Sequence, residues 1–251
     1  MDITEFNINL DIAKEAAKDS GKLLLQNKKE LNKTLKSNNK DTKLIADLKA
    51  ENLIKEIIVK KSKYPILAEE SGKSVEDLGD TFWVIDPLDG TANYNRGIPM
   101  CCVSIGLVKN MKPLLGVIYD FNNDDIYVGN SYTKISTLNN DEIFVSDYKK
   151  KSDGVLVTGL PVGSDFSDKS LKKIIDDMQS WKKIRMIGSA AMASCYVASG
   201  KAEMYKEKGV YLWDILAGAA IVESAGGIAD ISNVRDNFQV DVVFSNSHIK
   251  D

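Results

Sequence analysis

Ala13, Ala16, Ala17, Leu24 and Leu25 recur at helical spacing and predict an amphipathic helix over about residues 9–28. Ala46, Ala50, Leu53, Ile54, Ile57 and Ile58 predict a second over about 43–61. After the Tyr64-Pro65 break the period changes. Residues 66–68 form a short apolar run entering Glu69-Glu70-Ser71-Gly72, and residues 81–85 (TFWVI) are β-branched and aromatic, as in a buried strand ending at Asp86-Pro87. Runs at 101–108, 114–120 and 126–129, separated by the turn-rich KNMKP and FNNDD, predict an antiparallel meander. The pattern then alternates: strand 154–158, helix about 168–179, strand 183–187, helix about 190–198, helix about 214–224, and short strands at 228–231 and 240–244. This order predicts one compact body over 1–251, with an α+β half over about 1–148 and an α/β half over 149–251.

Composition narrows the chemistry. At 43% hydrophobic, the 251 residues can bury a core without disulfide or metal staples. A net charge of −3 leaves no basic field for nucleic acid. The longest apolar stretch, 98–108, is about half a membrane span, and no signal-peptide pattern opens the chain. Three cysteines, two of them adjacent (Cys101, Cys102), fit a reduced protein. A cytoplasmic protein with no nucleic-acid or membrane partner is expected.

The single histidine, His248, excludes a Ser-His-Asp triad, a Cys-His pair, an HExxH zinc site and a phosphohistidine route. The only arginines are Arg96, Arg185 and Arg235, and none lies six residues after a cysteine, which excludes a cysteine-phosphatase loop. Gly72-Lys73-Ser74 has Leu67 where a phosphate-binding loop needs its first glycine. If the protein is an enzyme, what remains is chemistry by carboxylates and hydroxyls, with room for a metal.

Residues 64–148 hold 13 acidic side chains against 5 basic ones. Clustered carboxylates repel, and a divalent cation is a common reason to keep them together. Glu76, Asp77, Asp80, Asp124 and Asp125 read as solvated surface. The segment WVIDPLDGTANY (83–94) does not. Its strand delivers Asp86, Pro87 holds that residue extended, and Asp89 follows across a tight turn. Gly90 gives the backbone freedom and Thr91 offers a hydroxyl. Two carboxylates three residues apart can converge on one or two cations, with the Leu88 carbonyl as a further oxygen. Haloacid-dehalogenase phosphatases also end a strand in D…DGT, but with carboxylates two apart near the N-terminus; the spacing and position here argue against a covalent aspartyl intermediate. Glu69-Glu70 and Trp213-Asp214 alone would read as a solvated pair and a helix N-cap. Their combination with Asp86 and Asp89 gives them weight.

AEESG (68–72), WVIDPLDGTANYNRGIPMCCVSIGL (83–107), IGSAAM (187–192) and WDILAGAAIVESAGG (213–227) resemble the inositol monophosphatase family over about residues 9–247. That superfamily also holds fructose-1,6-bisphosphatase and the bisphosphate nucleotidases. The resemblance implies a layered αβαβα sandwich, a Mg²⁺-dependent and lithium-sensitive phosphatase with two or three ions per site, and a homodimer. By position, it makes Glu69, Asp86 and the Leu88 carbonyl ligands of one ion, and Asp86, Asp89 and Asp214 ligands of a second, with Glu69 also touching a weaker third. Asp47 and Thr91 are then expected to activate and orient the attacking water, with Gly90 and Thr91 amides at the substrate phosphate. Glu207 matches the position that bonds a substrate hydroxyl, and Ser189 and Ala190 match residues lining that pocket. TANYNRGIP favours a sugar or cyclitol monophosphate; a bisphosphate nucleotidase, a fructose-1,6-bisphosphatase and a non-catalytic binding relative are the alternatives. Ala92 and Ala68 depart from the usual threonine and glycine. The sequence ends in VVFSNSHIKD where family members continue into a helix, which is expected to leave a strand face less covered.

Overall fold

The computed structural model describes residues 1–37, 42–160 and 167–251. The first helix, α1 (Ile3–Gln26), starts six residues before the periodicity predicts. Asp2 caps it, accepting the Glu5 N–H at 2.8 Å, and Phe6 extends the buried stripe by one turn. A single turn, α2 (Lys28–Leu31), and the hairpin β1 (Thr34–Ser37) and β2 (Thr42–Leu44) lead into α3 (Ile45–Lys61).

There follow β3 (Ile66–Ala68), β4 (Gly72–Lys73), β5 (Thr81–Asp89), the short α4 (Thr91–Arg96), β6 (Cys102–Lys109), β7 (Lys112–Asp120), β8 (Asp125–Asn130), β9 (Ile135–Leu138) and β10 (Asp141–Ile143). They make an eight-stranded sheet in the order β10-β9-β8-β7-β6-β5-β3-β4. The meander is antiparallel as the turn residues predict, and only β3 and β5 run parallel. The sequence pattern misses β9 and β10, whose polar residues carry no clear alternation. It also ends the buried strand too early. β5 runs on through Asp89, with a register irregularity between Asp86 and Asp89, so the two carboxylates are separated by a bulge in a strand and not by a turn after one.

The second sheet takes β11 (Val155–Thr158), β12 (Lys183–Arg185), β13 (Met204–Tyr211), β14 (Ile228–Ser232) and β15 (Gln239–Ser245), interleaved with α5 (Asp168–Gln179), α6 (Ala190–Ala198) and α7 (Leu212–Ser224). Its order is β12-β11-β13-β15-β14. The central strand β13 is the element that the hydropathy pattern overlooks, because MYKEKGVY carries three consecutive charged residues.

These elements stack in five layers. α1 and α3 cover one face of the first sheet through Phe6, Ala13, Leu24, Ile54 and Ile58 against Trp83, Ile85, Ile105 and Val117. Between the sheets lie α6 and α7, apolar all round, packed on Val84, Cys102 and Ile118 below and on Val157, Tyr205, Val242 and Phe244 above. α5 lies on the outer side, where Asp177 pairs with Lys151 and Lys206. A small cluster of Leu156, Trp181, Met204 and Ile249 fills part of that face, while Ile228 of β14 is 52% exposed.

α7 approaches the first sheet unusually closely. Gly106, Gly116 and Gly129 sit opposite one another in β6, β7 and β8, forming a row without side chains across three strands. A Cβ on Gly116 would overlap the Ala217 carbonyl, and one on Gly129 would lie 2.5 Å from the Ile221 nitrogen. The helix backbone rests directly on strand backbone, which fixes where its first turn begins.

Candidate active site

Four chain segments end at one place. β3 delivers Glu69, whose N–H bonds the Ile85 carbonyl of β5 at 3.1 Å. β5 delivers Asp86 and, across the bulge, Asp89. The first turn of α7 delivers Asp214, held by the Tyr211 N–H on its Oδ2 at 2.9 Å. The first turn of α3 delivers Asp47, whose Oδ2 accepts the Leu44 N–H at 2.8 Å.

Each carboxylate has its own support. Asp86 Oδ1 accepts the Leu88 N–H at 2.9 Å, an Asx turn that fixes the bulge. Asp89 is tied to the start of α6: its Oδ2 accepts from the Ser189 hydroxyl and from the Ala191 N–H at 2.7 Å, and the Ala190 and Gly90 amides also donate to it. Ser189 thus caps α6 and holds Asp89 with the same hydroxyl, so the residues expected to line a substrate pocket (Gly90, Ser189, Ala190) are gathered round a carboxylate here. Gly90 has φ +89°, and a Cβ there would sit 2.6 Å from the Met100 carbonyl, so only glycine fits that corner. Thr91 Oγ1 lies 2.9 Å from Asp47 Oδ1 and 3.0 Å from the Leu88 carbonyl, joining the start of α3 to the bulge.

The electrostatics are those of crowded anions. Burial first, and then repulsion from neighbouring carboxylates, pushes Glu69, Asp86 and Asp214 well above the usual carboxylate range. Asp86 stands close enough to Glu69 and Asp214 for the three carboxylates to influence one another's protonation. Asp89 is raised only to about 6, because its four donors offset burial. Burial also raises Asp47 to about 6 against its bonds from Leu44 and Thr91. Among the described residues no three His, Cys, Asp or Glu side chains already surround one ion position. The donor set nevertheless fits a hard cation: every candidate is an oxygen, no Lys or Arg is among the main influences on the four, and like charges face one another in a buried site.

Glu207 of β13 borders this cluster. Burial and the Asp89 charge raise it to about 7, against a hydrogen bond from the Tyr205 hydroxyl at 3.0 Å. Its carboxylate fills the space beside Gly159, where a Cβ would meet Oε1 at 2.5 Å. All the predicted site residues therefore stand around one centre. Sequence reasoning missed those that brace it. Glu51 and Lys43 hold the Glu69-Glu70 turn, and Asn93 donates to the Met100 and Ile187 carbonyls at 2.7 Å each, joining α4 to the loop that carries Ser189. Glu51 could have been found, since it stands one helical turn after Asp47.

The inositol monophosphatase family model matches residues 9–248. The chain belongs to that family. Nus factor SuhB of Xylella fastidiosa is 36% identical over 222 residues, covering 87% of this chain and 80% of the relative. Inositol monophosphatase 1 of Homo sapiens is 32% identical over 231 residues, covering 87% and 82%. Among solved structures, the inositol monophosphatase of Anabaena (Nostoc) sp. PCC 7120 superposes with a TM-score of 0.84 at 33% identity, over 97% of this chain and 92% of that one. As an inositol monophosphatase family member the chain is a phosphomonoesterase with the layered sandwich fold, and the family is metal-dependent. Among the described residues no helix is long and apolar enough to cross a membrane.

Proposed function

We propose that this protein hydrolyses a small phosphate monoester, an inositol monophosphate or a related sugar or cyclitol phosphate, by attack of water in line at phosphorus, with inversion and without a phosphoenzyme. The observation that carries this reading is the meeting of four carboxylates, Asp86 and Asp89 buried and Glu69 and Asp214 half-buried, with the Thr91–Asp47 pair at one centre. Glu69, Asp86, Asp89, Asp214 and the Leu88 carbonyl would hold two or three Mg²⁺. Bound there, the cations would neutralise the phosphate oxygens, acidify a water and stabilise the leaving alkoxide.

The chain's own groups supply the rest. With its proton directed at Asp47 Oδ1, Thr91 Oγ1 keeps its lone pairs to accept from a water. Asp47, raised to about 6, is suited to take up a proton near neutral pH. No thiol stands ready as a competing nucleophile among the described residues. Burial pushes the Cys102 and Cys195 thiols well up and Cys101 to about 11. Free buried cysteines also support a cytoplasmic setting, and the family resemblance supports a homodimer.

The reading is tested by phosphate release from inositol 1-phosphate, fructose 1,6-bisphosphate, adenosine 3′,5′-bisphosphate and several sugar phosphates, each with Mg²⁺, with EDTA and with lithium. Mg²⁺-dependent, lithium-inhibited release with a monophosphate preferred is the expected result. Preference for a bisphosphate would move the protein to another branch of the superfamily, and silence across the panel would favour a binding role. A second expectation concerns stability. Mg²⁺ at about 100 times its dissociation constant should add about 2.7 kcal/mol, so the melting temperature should rise by several degrees and return with EDTA. No shift would refute the ligand set.

Substrate choice has its own test. If Glu207 bonds a substrate hydroxyl, Glu207→Gln should raise KM for the preferred cyclitol or sugar phosphate about tenfold or more. p-Nitrophenyl phosphate, which lacks that hydroxyl, should be hydrolysed almost unchanged. Equal losses on both substrates would remove Glu207 from substrate recognition.

A further inference from the structure

One face of α3 braces the acid cluster at three successive turns. Asp47, Glu51 and Lys55 stand at i, i+4 and i+8, a spacing that stacks side chains on one side of a helix. Each reaches a different part of the frame. Asp47 bonds Thr91, Glu51 Oε2 accepts the Glu70 N–H at 2.8 Å, and Lys55 donates to the Ser71 hydroxyl at 2.8 Å. Lys43 adds a pair with the Glu70 carboxylate at 2.9 Å.

Glu51 is the unexpected member. It is 2% exposed, and its second oxygen has Lys55 only at 3.8 Å. A buried carboxylate is costly unless it satisfies a donor. The donor here is the amide of the peptide linking Glu69 to Glu70. Because a peptide unit is planar, fixing that N–H fixes the main chain on the C-terminal side of Glu69. On its N-terminal side the Glu69 N–H is already bonded to the Ile85 carbonyl. Glu69 is therefore clamped at both ends of its backbone, once by the sheet and once by Glu51.

We propose that Glu51 is a positioning residue for Glu69: its Oε2, as a hydrogen-bond acceptor and not as a charge, sets the direction in which the Glu69 carboxylate is presented to a cation. This rests on reading Glu69 as a ligand, and the test separates the two. Mn²⁺ binding to the full chain is followed by electron paramagnetic resonance, with thermal unfolding in EDTA alongside, for Glu51→Gln, Glu51→Asp and Glu69→Gln. Gln keeps an oxygen at the same reach and loses the charge; Asp keeps the charge and draws the oxygen back by about one carbon–carbon bond, ~1.5 Å. Lys55, with a partly exposed side chain, can turn from the new amide.

Glu51→Gln is expected to bind Mn²⁺ within about threefold of the parent, and Glu51→Asp about 10–100-fold more weakly. The reverse order would show that Glu51 acts through its charge and would overturn the proposal. So would parent-like affinity in both variants, even with a lowered melting temperature, while Glu69→Gln binds weakly. Parent-like affinity in Glu69→Gln would instead remove the premise that Glu69 is a ligand.

Discussion

Asp214→Asn is expected to lower metal-dependent phosphate release by about 10³-fold or more, and to leave the metal-free protein as stable as the parent or more so. The two halves of that expectation have one cause. Asp214 is half-buried among carboxylates, and desolvation followed by the Asp89 charge raises its pKa well above the usual range. A carboxylate raised in the folded state favours folding while protonated and loses that contribution as pH rises through its folded value. At neutral pH its ionisation therefore works against folding, and the neutral amide removes the penalty. Asn keeps an oxygen to accept the Tyr211 N–H, so the first turn of α7 retains its bond. What Asn cannot supply is the negative charge that would hold a hard cation, and losing about 4 kcal/mol of transition-state stabilisation corresponds to about 10³ in rate. Asp89→Asn should lose turnover alike without the gain in stability, because one amide oxygen cannot accept all four donors that hold the Asp89 carboxylate. Steady-state kinetics with Mg²⁺ and melting curves in EDTA decide it, and near-normal turnover in either variant would mean that the cation is held elsewhere.

That a group can be essential for turnover and unfavourable for folding explains what could be read from sequence. The acids were legible because they defy the ordinary placement of charge: Asp86 interrupts an apolar strand, and Asp214 opens an apolar helix. Their partners were less so. Ser189 looks like any helix cap until α6 is placed against β5, since its bond to Asp89 spans 100 positions of chain. Glu51 looks like a solvated helix residue until the Glu69-Glu70 turn is laid on it. The helices followed from apolar spacing, and the meander from its turns. Strand β13 did not, because Lys206 and Lys208 face outward with Glu207 between them turned to the site, so its polar residues serve both faces. A period-two signal needs one apolar face, and this strand shows it only at its ends.

The other large effect comes from residues with no side chain. Gly116→Ala is expected to destabilise the protein by about 3 kcal/mol or more, at the upper end of what overpacking does. For a chain of this size that is a fall of about 6–12 °C in melting temperature. The new Cβ would overlap the carbonyl of Ala217, which is backbone inside α7 and cannot rotate away as a side chain could. Only movement of the helix relieves it. Position in the row should grade the effect: Gly129→Ala, meeting the Ile221 nitrogen at 2.5 Å, should be severe, and Gly106→Ala, with the Ala217 nitrogen at 3.2 Å, mild. Ala217→Gly should not rescue Gly116→Ala, because the obstructing atoms are main chain. Turnover should fall further than stability alone predicts. α7 carries Asp214 in its first turn, and a displacement of ~1 Å in a catalytic group can cost about 10²-fold. Melting curves and kinetics on the three single variants and the double variant test this together. A Gly116→Ala protein that melts within about 2 °C of the parent, a shift worth less than about 1 kcal/mol here, would show that α7 does not rest on the glycine row. The position of Asp214 would then have to be set by the Tyr211 amide and the apolar packing of α6 and α7 alone.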